Sequence, residues 1–306
     1  MVVEDLIIDG NNMGFMAFGR TPLLNKGKRV ELIYVGLNMV KSWLEKFNPE
    51  RCFIVWDGGR NKERLKLFPD YKKKKKEFTQ AEIREREEFI SQIKQLREFF
   101  KALGLVQYRC KEQEADDVIF SILDENRKSL IVSTDKDFYQ ILVSDNVKVY
   151  NPIKKIVINK ELVEQEFGVP VEFVLAYRAM AGDPSDALPG IKGFGAKRAS
   201  WLVNEVLNSN DFSKAKSFTS SQKRLIDCFL ENLEAWQIMY DVMKLKKVDE
   251  ETLLKGKIEF EYSCLESFHE EVINLLDKYG FEKHLKNFDS FISPFVRVLS
   301  KRRSKK

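Results

Sequence analysis

The stretch "YRCKEQEADDVIFSI" (residues 108–122) continues a short apolar run, "LVQYR", and then sets Val118, Ile119 and Ile122 on one side of the segment after it. The run reads as a strand and the later segment as a helix that packs its apolar side inward. Three carboxylates, Glu114, Asp116 and Asp117, crowd the start of that helix. Acidic residues complement a helix N-terminus, and that effect alone accounts for carboxylates at these positions. The other account is that they hold a strongly positive partner, and the rest of the chain decides between the two.

Working outward, "DLIIDG" reads as a buried strand ending at Asp9, and "ELIYVGLNMVKSWLEKF" as an amphipathic helix. "CFIVWDGG" is a second strand ending at Asp57, and "QAEIREREEFISQIKQLREFFKALG" a helix stopped by Gly104. "KSLIVSTDKDF" is a strand that delivers Asp135 and Asp137. The alternation predicts an α/β fold with a mainly parallel central sheet flanked by helices. From "ELVEQEFGVPVEFVLAYRAM" onward the pattern turns helical, so a core over 1–160, a helical lobe over 161–296 and an unstructured basic tail over 297–306 are expected.

In open α/β sheets ligands bind beyond the carboxyl ends of the strands. Asp9, Asp57, Asp135 and Asp137 fall at such ends, and Glu114, Asp116 and Asp117 follow another. "AGDPSDALPG" adds Asp183 and Asp186, in a loop that turn chemistry alone also explains. So many carboxylates on one crevice repel unless cations neutralise them. The four cysteines form no C-x-x-C pair and only His269 and His284 offer imidazole, so zinc is disfavoured and an all-oxygen site for Mg2+ or Mn2+ is expected. Two such ions about 4 Å apart hydrolyse phosphodiesters. "IIDGNN" lacks the second aspartate of an aspartyl-phosphate D-x-D, and there is no P-loop, which disfavours both of those chemistries.

The net charge of +5 is unevenly placed: residues 60–77 carry nine basic and three acidic residues, and residues 297–306 carry six basic and none acidic. Five successive lysines, 72–76, suit a polyanion. "LPGIKGFGAKRASWLV" (188–203) sets Gly190, Gly193 and Gly195 among Lys192, Lys197 and Arg198, where the backbone can approach a phosphate closely. "MVVEDLIIDG" interrupts any apolar leader with Glu4 and Asp5, so an intracellular protein without a membrane partner is expected.

Together with "FPDYK" ahead of the lysine run, these segments resemble the 5′-nuclease family of flap endonucleases over roughly residues 2–245, in the same motif order. The likeness is to stand-alone bacteriophage enzymes and to the 5′-nuclease domain of bacterial DNA polymerase I. It implies a PIN-like core, a helical arch at about 69–103 threaded by a single-stranded 5′ end, and a helix-hairpin-helix at about 180–205 that grips duplex DNA. By resemblance, Asp9, Asp57, Glu114, Asp116 and Asp117 serve a first metal site, and Asp135, Asp137, Asp183 and Asp186 a second. Lys72 meets the scissile phosphate, Tyr71 stacks on a base, and Arg64, Lys73, Lys75, Lys76, Lys192, Gly193, Gly195, Lys197 and Arg198 contact DNA. A potassium ion at the hairpin is also implied.

The implied activity is structure-specific 5′ nuclease action at 5′ flaps and 5′ ends of DNA, and on RNA primers in RNA–DNA hybrids, by a monomer. The alternative is a non-catalytic module of the same fold that binds branched DNA. Departures from the family pattern are a lysine, Lys75 or Lys76, where an arginine is usual, which loses the bidentate fork, and residues after about 245 that have no counterpart. No polymerase-like region is present after them, so a stand-alone enzyme is expected. "QLREFF" lacks the glutamine of a sliding-clamp peptide, so Phe99 and Phe100 are read as core.

Overall fold

The structure, a computed structural model, describes residues 2–19, 21–73, 77–209, 217–260, 262 and 264–303. β1 (Asp5–Asp9) leads into α1 (Gly10–Phe18); a hairpin of β2 (Leu24–Asn25) and β3 (Lys28–Arg29) precedes α2 (Glu31–Phe47) and β4 (Arg51–Val55). α3 (Lys62–Leu67) and α4 (Gln80–Ala102) lead to β5 (Val106–Tyr108), α5 (Ala115–Ile122) and β6 (Ser129–Val132). A 3-10 turn (Lys136–Ile141), β7 (Val147–Asn151) and β8 (Ile156–Ile158) come next. Then come α6 (Lys160–Phe167), α7 (Val174–Ala181), α8 (Ala196–Leu202), α9 (Ser220–Glu231) and α10 (Leu233–Met243). The chain ends with α11 (Glu250–Gly256), β9 (Lys257–Ile258), α12 (Leu265–Lys278), α13 (Glu282–Lys286) and α14 (Phe288–Arg303).

The main sheet has the order β8-β7-β6-β1-β4-β5-β9, parallel throughout except for the antiparallel edge strands β8 and β9. This is the mainly parallel sheet that the strand and helix alternation predicts. β1 is central, and its side chains alternate across the sheet. Leu6 and Ile8 join Leu37, Val40, Leu96 and Phe99 on one face, while Ile7 joins Val118, Ile119, Ile131 and Val174 on the other. Each such aliphatic side chain, fully out of water, stabilises the fold by about 1.5–3 kcal/mol. Asp9 therefore stands at the middle of the carboxyl edge, fixed by a strand that cannot shift register without turning its apolar residues out.

α4 is buried only over its second half, at Gln92, Leu96, Phe99, Phe100 and Ala102, and its first half projects. A Thr79–Glu82 capping box closes the projecting end, and Phe89 stacks on the exposed ring of Phe15 at 4.6 Å, tying the helix to α1. Phe99 and Phe100 are wholly buried.

The C-terminal third departs from the expected division. β9 adds to the sheet beside β5, and α12–α14 place Phe268, Leu276, Phe281 and Phe295 in the same core as α2 and α4. Residues 161–296 are thus not one lobe: α6–α10 cover the opposite face, and the chain then returns. Of the tail expected over 297–306, residues 297–303 are not unstructured, because α14 continues through them to Arg303, and 304–306 lie outside the described residues. Val298 is buried, and the Lys301 ammonium donates to the carbonyls of Asn48 (3.1 Å) and Pro49 (3.3 Å), just past the C-terminal end of α2, where a cation is favoured. Among the described residues no helix is long and apolar enough to cross a membrane.

Candidate metal centre and nucleic-acid surface

The strand ends are laced together before any ligand is considered. Asp9 caps α1 by accepting from the Asn12 N–H (3.0 Å) and takes a second hydrogen bond from Ser133 Oγ (3.0 Å), just beyond β6. Asp57, past the end of β4, accepts from the Ala115 N–H at the start of α5 (2.9 Å). Asp135 accepts from the Asp137 N–H (2.8 Å), which folds the two aspartates into one turn. Oxygens of Asp116, Asp135 and Asp137 all lie within 4.8 Å of one another.

This crowding appears in the acidities. Burial, with Asp57 and Asp135 nearby, pushes Asp9 up to about 7. Burial raises Asp137 to about 6 against the pull of Arg178, and Asp186 to about 6 against that of Lys72. Asp116 is held well above the carboxylate range by burial and by Asp135; Asp57 and Asp135 are raised as well. Carboxyls that resist ionising together are what a divalent cation relieves, and the donor set is all oxygen, the preference of hard ions. The residues fit a metal of that class.

The convergence crosses the two sets implied by resemblance, since Asp116 of the first meets Asp135 and Asp137 of the second. Asp183 and Asp137 share the buried guanidinium of Arg178, at 2.6 and 2.7 Å. Burial opposes its charge, but Ser185 and Arg178 hold Asp183 below the usual range. Glu114 Oε2 faces the Lys72 ammonium (2.9 Å) and the Tyr71 hydroxyl (2.9 Å), and Oε1 accepts from the Asn61 N–H (3.3 Å). Burial works against the Lys72 charge as well, yet the surrounding carboxyls of Asp116, Glu114 and Asp186 raise its pKa above the ordinary lysine value.

Three expected roles are corrected. Asp117 is wholly buried and accepts from Arg64 twice (2.7 and 2.8 Å), from the Lys246 N–H (2.9 Å) and from Asn61 Nδ2 (3.3 Å). A carboxylate has about four acceptor positions, so none is left for an ion. Arg64 is only 2% exposed and directs its remaining donors to the carbonyls of Val242 (2.8 Å) and Lys244 (3.1 Å), so it does not meet DNA. Tyr71 is buried against Leu175, Ala179, Leu188, Met239 and Val242 and presents no face to a base.

The glycine turn is open to solvent. Lys192, Gly193, Gly195, Lys197 and Arg198 are exposed while Ile191, Phe194 and Ala199 point inward. Gly190 needs its φ of +67°, and a Cβ there would lie 2.5 Å from the Gly182 nitrogen, so the turn closes only with glycine. Lys73 is exposed and pairs with Asp70 at 2.9 Å. Lys75 and Lys76 lie outside the described residues.

Residues 4–168 match the family model of the 5′-3′ exonuclease, N-terminal resolvase-like domain. The chain belongs to the 5′-3′ exonuclease family. It is 34% identical to the 5′-3′ exonuclease of Aquifex aeolicus over 199 residues, 63% of this chain and 66% of that one. It is 30% identical to flap endonuclease Xni of Shewanella denitrificans over 204 residues, 65% of this chain and 77% of that one. Its fold is similar to the crystal structure of the bacteriophage T5 D15 flap endonuclease in a complex with DNA and metal ions, with a TM-score of 0.65 at 20% identity, covering 90% of this chain and 98% of that one.

Within this exonuclease-family chain some site residues escaped the sequence reading. Arg178 bridges two aspartates from an otherwise apolar helix, and that isolated charge in "VLAYRAMA" was the available signal. Asn11 and Asn12 give no comparable signal. The Asn11 side chain accepts from the Asp57 N–H (3.2 Å), and that of Asn12 exchanges hydrogen bonds with Thr134 (2.7 and 3.1 Å).

Proposed function

We propose that this chain is a divalent-metal-dependent, structure-specific 5′ nuclease that cuts phosphodiesters at 5′ flaps and free 5′ ends of DNA, and in RNA primers, acting as an intracellular monomer in replication or repair. The observation that carries the reading is the convergence of Asp116, Asp135 and Asp137, within 4.8 Å, beside a buried Asp9. Family membership and the names of the relatives, an exonuclease and a flap endonuclease, support it.

Asp9, Asp57, Asp116, Asp135 and Asp137 would hold the ions, with Asp186 at the rim and Glu114 within reach beside Lys72. Bound divalent ions lower the pKa of the attacking water and draw charge from the leaving oxygen. The chain supplies the rest. Lys72 carries a proton on Nζ and, on leaving Glu114, meets a non-bridging phosphate oxygen where negative charge builds up. Lys192, Lys197 and Arg198 take duplex phosphates and set the register without reading bases. The products are a 5′-phosphate and a 3′-hydroxyl. A potassium ion at the hairpin would compete with Arg198, whose guanidinium already donates to the Gly193 carbonyl at 2.9 Å, and it forms no part of the proposal.

An end-labelled flap incubated with Mg2+, and again with chelator, tests this. Cleavage near the junction that stops on chelation is expected. Tight binding with no product under either condition would select the non-catalytic branched-DNA module instead.

A further inference from the structure

Arg64 and Asp117 lie deep beside the acidic centre, buried from solvent and apart from the convergent trio of Asp116, Asp135 and Asp137. Arg64 stands on α3, the short helix at the foot of the arch; Asp117 is on α5, which carries Asp116 and has Glu114 at its N-cap position. Their two parallel hydrogen bonds, 2.7 and 2.8 Å, form a bidentate fork. The same guanidinium reaches 3.4 Å from Glu114 and donates to the Val242 and Lys244 carbonyls, at the last turn of α10 and just past it. Four of its five N–H groups are thereby hydrogen-bonded, and the Glu114 carboxylate adds a longer ion-pair contact. Asp117 in turn takes the Lys246 N–H, again from the segment after α10.

One planar cation thus joins three elements: the arch foot, the helix bearing Glu114 and Asp116, and the helical face that presents the glycine turn. We infer that Arg64 and Asp117 are a paired positioning device, which holds the N-terminus of α5 against α10 so that Glu114 and Asp116 are aimed before ion or DNA arrives. The inference rests on the nuclease reading for the meaning of "aimed", but the linkage itself is geometric. A counter-charge role and a positioning role differ in sign. If Arg64 only offset negative charge, removing it would strengthen cation binding at the acidic centre; if it positions, removing it weakens binding.

The test uses the full chain as wild type, Arg64→Gln, Arg64→Lys, Asp117→Asn and the Arg64→Gln/Asp117→Asn double variant. Mn2+ binding is titrated calorimetrically without DNA, and kcat and KM are measured on a flap. Loss of an outer partner of a metal ligand costs about 10- to 100-fold in metal affinity. That loss is expected in each single variant, Arg64→Lys included because a lysine cannot make the fork. The double variant should be no worse than the singles, since the two residues act as one unit. KM for the flap should stay within about threefold of wild type while kcat falls by about 10²-fold, the cost of a misplacement of about 1 Å.

Tighter Mn2+ binding by Arg64→Gln, additive losses in the double variant, loss of one bound ion confined to Asp117→Asn, or a raised KM with intact kcat would each overturn the inference. Should Arg64→Gln fail to fold, as judged by thermal unfolding in chelator, Arg64→Lys and Asp117→Asn carry the comparison alone. Failure of the wild type to bind Mn2+ or to cleave would count against the nuclease reading, which separates the two.

Discussion

Lys72 Nζ lies 2.9 Å from Glu114 Oε2, and the lysine holds a left-handed backbone, φ +52°, while its N–H donates to the Asp186 carbonyl at 2.9 Å. A non-glycine residue is strained in that conformation, and here the surrounding contacts impose it. The ammonium is therefore delivered to the acidic centre by both main chain and side chain. Lys72→Ala should lower kcat by at least about 10²-fold, the order lost with one donor to a developing oxyanion, with KM little changed. Single-turnover cleavage of a flap measures it, and equal losses in rate and affinity would make Lys72 a tether for DNA.

Asp135→Asn removes one carboxylate from the convergent trio while keeping its shape. Cleavage should fall by at least about 10³-fold with flap binding in Ca2+ changed less than about threefold, because one ligand is lost but no duplex contact is. Gel-shift and cleavage assays on one preparation check this; turnover at the wild-type rate would remove the trio from the chemistry.

The pH dependence has a definite sign. Asp9 at about 7 and Asp137 at about 6 bind protons more tightly in the folded protein than in the unfolded chain. Their contribution to the metal-free protein is full below the ordinary carboxylate range and is lost as pH rises through 6 and 7. Mg2+ binding must displace those protons, so the rise in melting temperature caused by Mg2+ should be larger at pH 8 than at pH 5.5. Melting curves with Mg2+ and with chelator at both pH values test it, and an increment independent of pH would count against ion binding at these carboxyls.

The exposed cations of the glycine turn should act additively and without regard to sequence. Replacing Lys192 and Lys197 with alanine should weaken duplex binding and reduce the slope of log affinity against log salt by about 0.9 for each lost phosphate contact. Gly190→Ala should do more, destabilising the protein by about 1–3 kcal/mol, because its Cβ would meet backbone at 2.5 Å in a left-handed conformation. A melting temperature equal to wild type would mean that the turn can open.

The sequence makes legible whatever depends on local periodicity. The apolar spacing of 31–47 marks α2 at the observed bounds, and short apolar runs ending in aspartate locate β1, β4 and β6. It cannot show which charge meets which. Asp116 and Asp117 are adjacent and chemically alike, yet one converges with Asp135 and Asp137 while the other is consumed by Arg64, 53 residues away. That choice is made by helical phase once α5 is docked, a tertiary fact. β9 is likewise hidden: two residues carry no readable alternation, and they become a strand only because the edge of β5 accepts them.

Asn11 and Asn12, on the first turn of α1, reach in opposite directions to the loops after β4 and β6. Consecutive residues thereby act as a gauge block between those two loops, with a spacing set by the pitch of one helix. An inserted residue at that point would leave every acid in the chain intact and still spoil the fit between Asp57 and Asp135, so the tolerance of the centre is written in a turn that bears none of its charge.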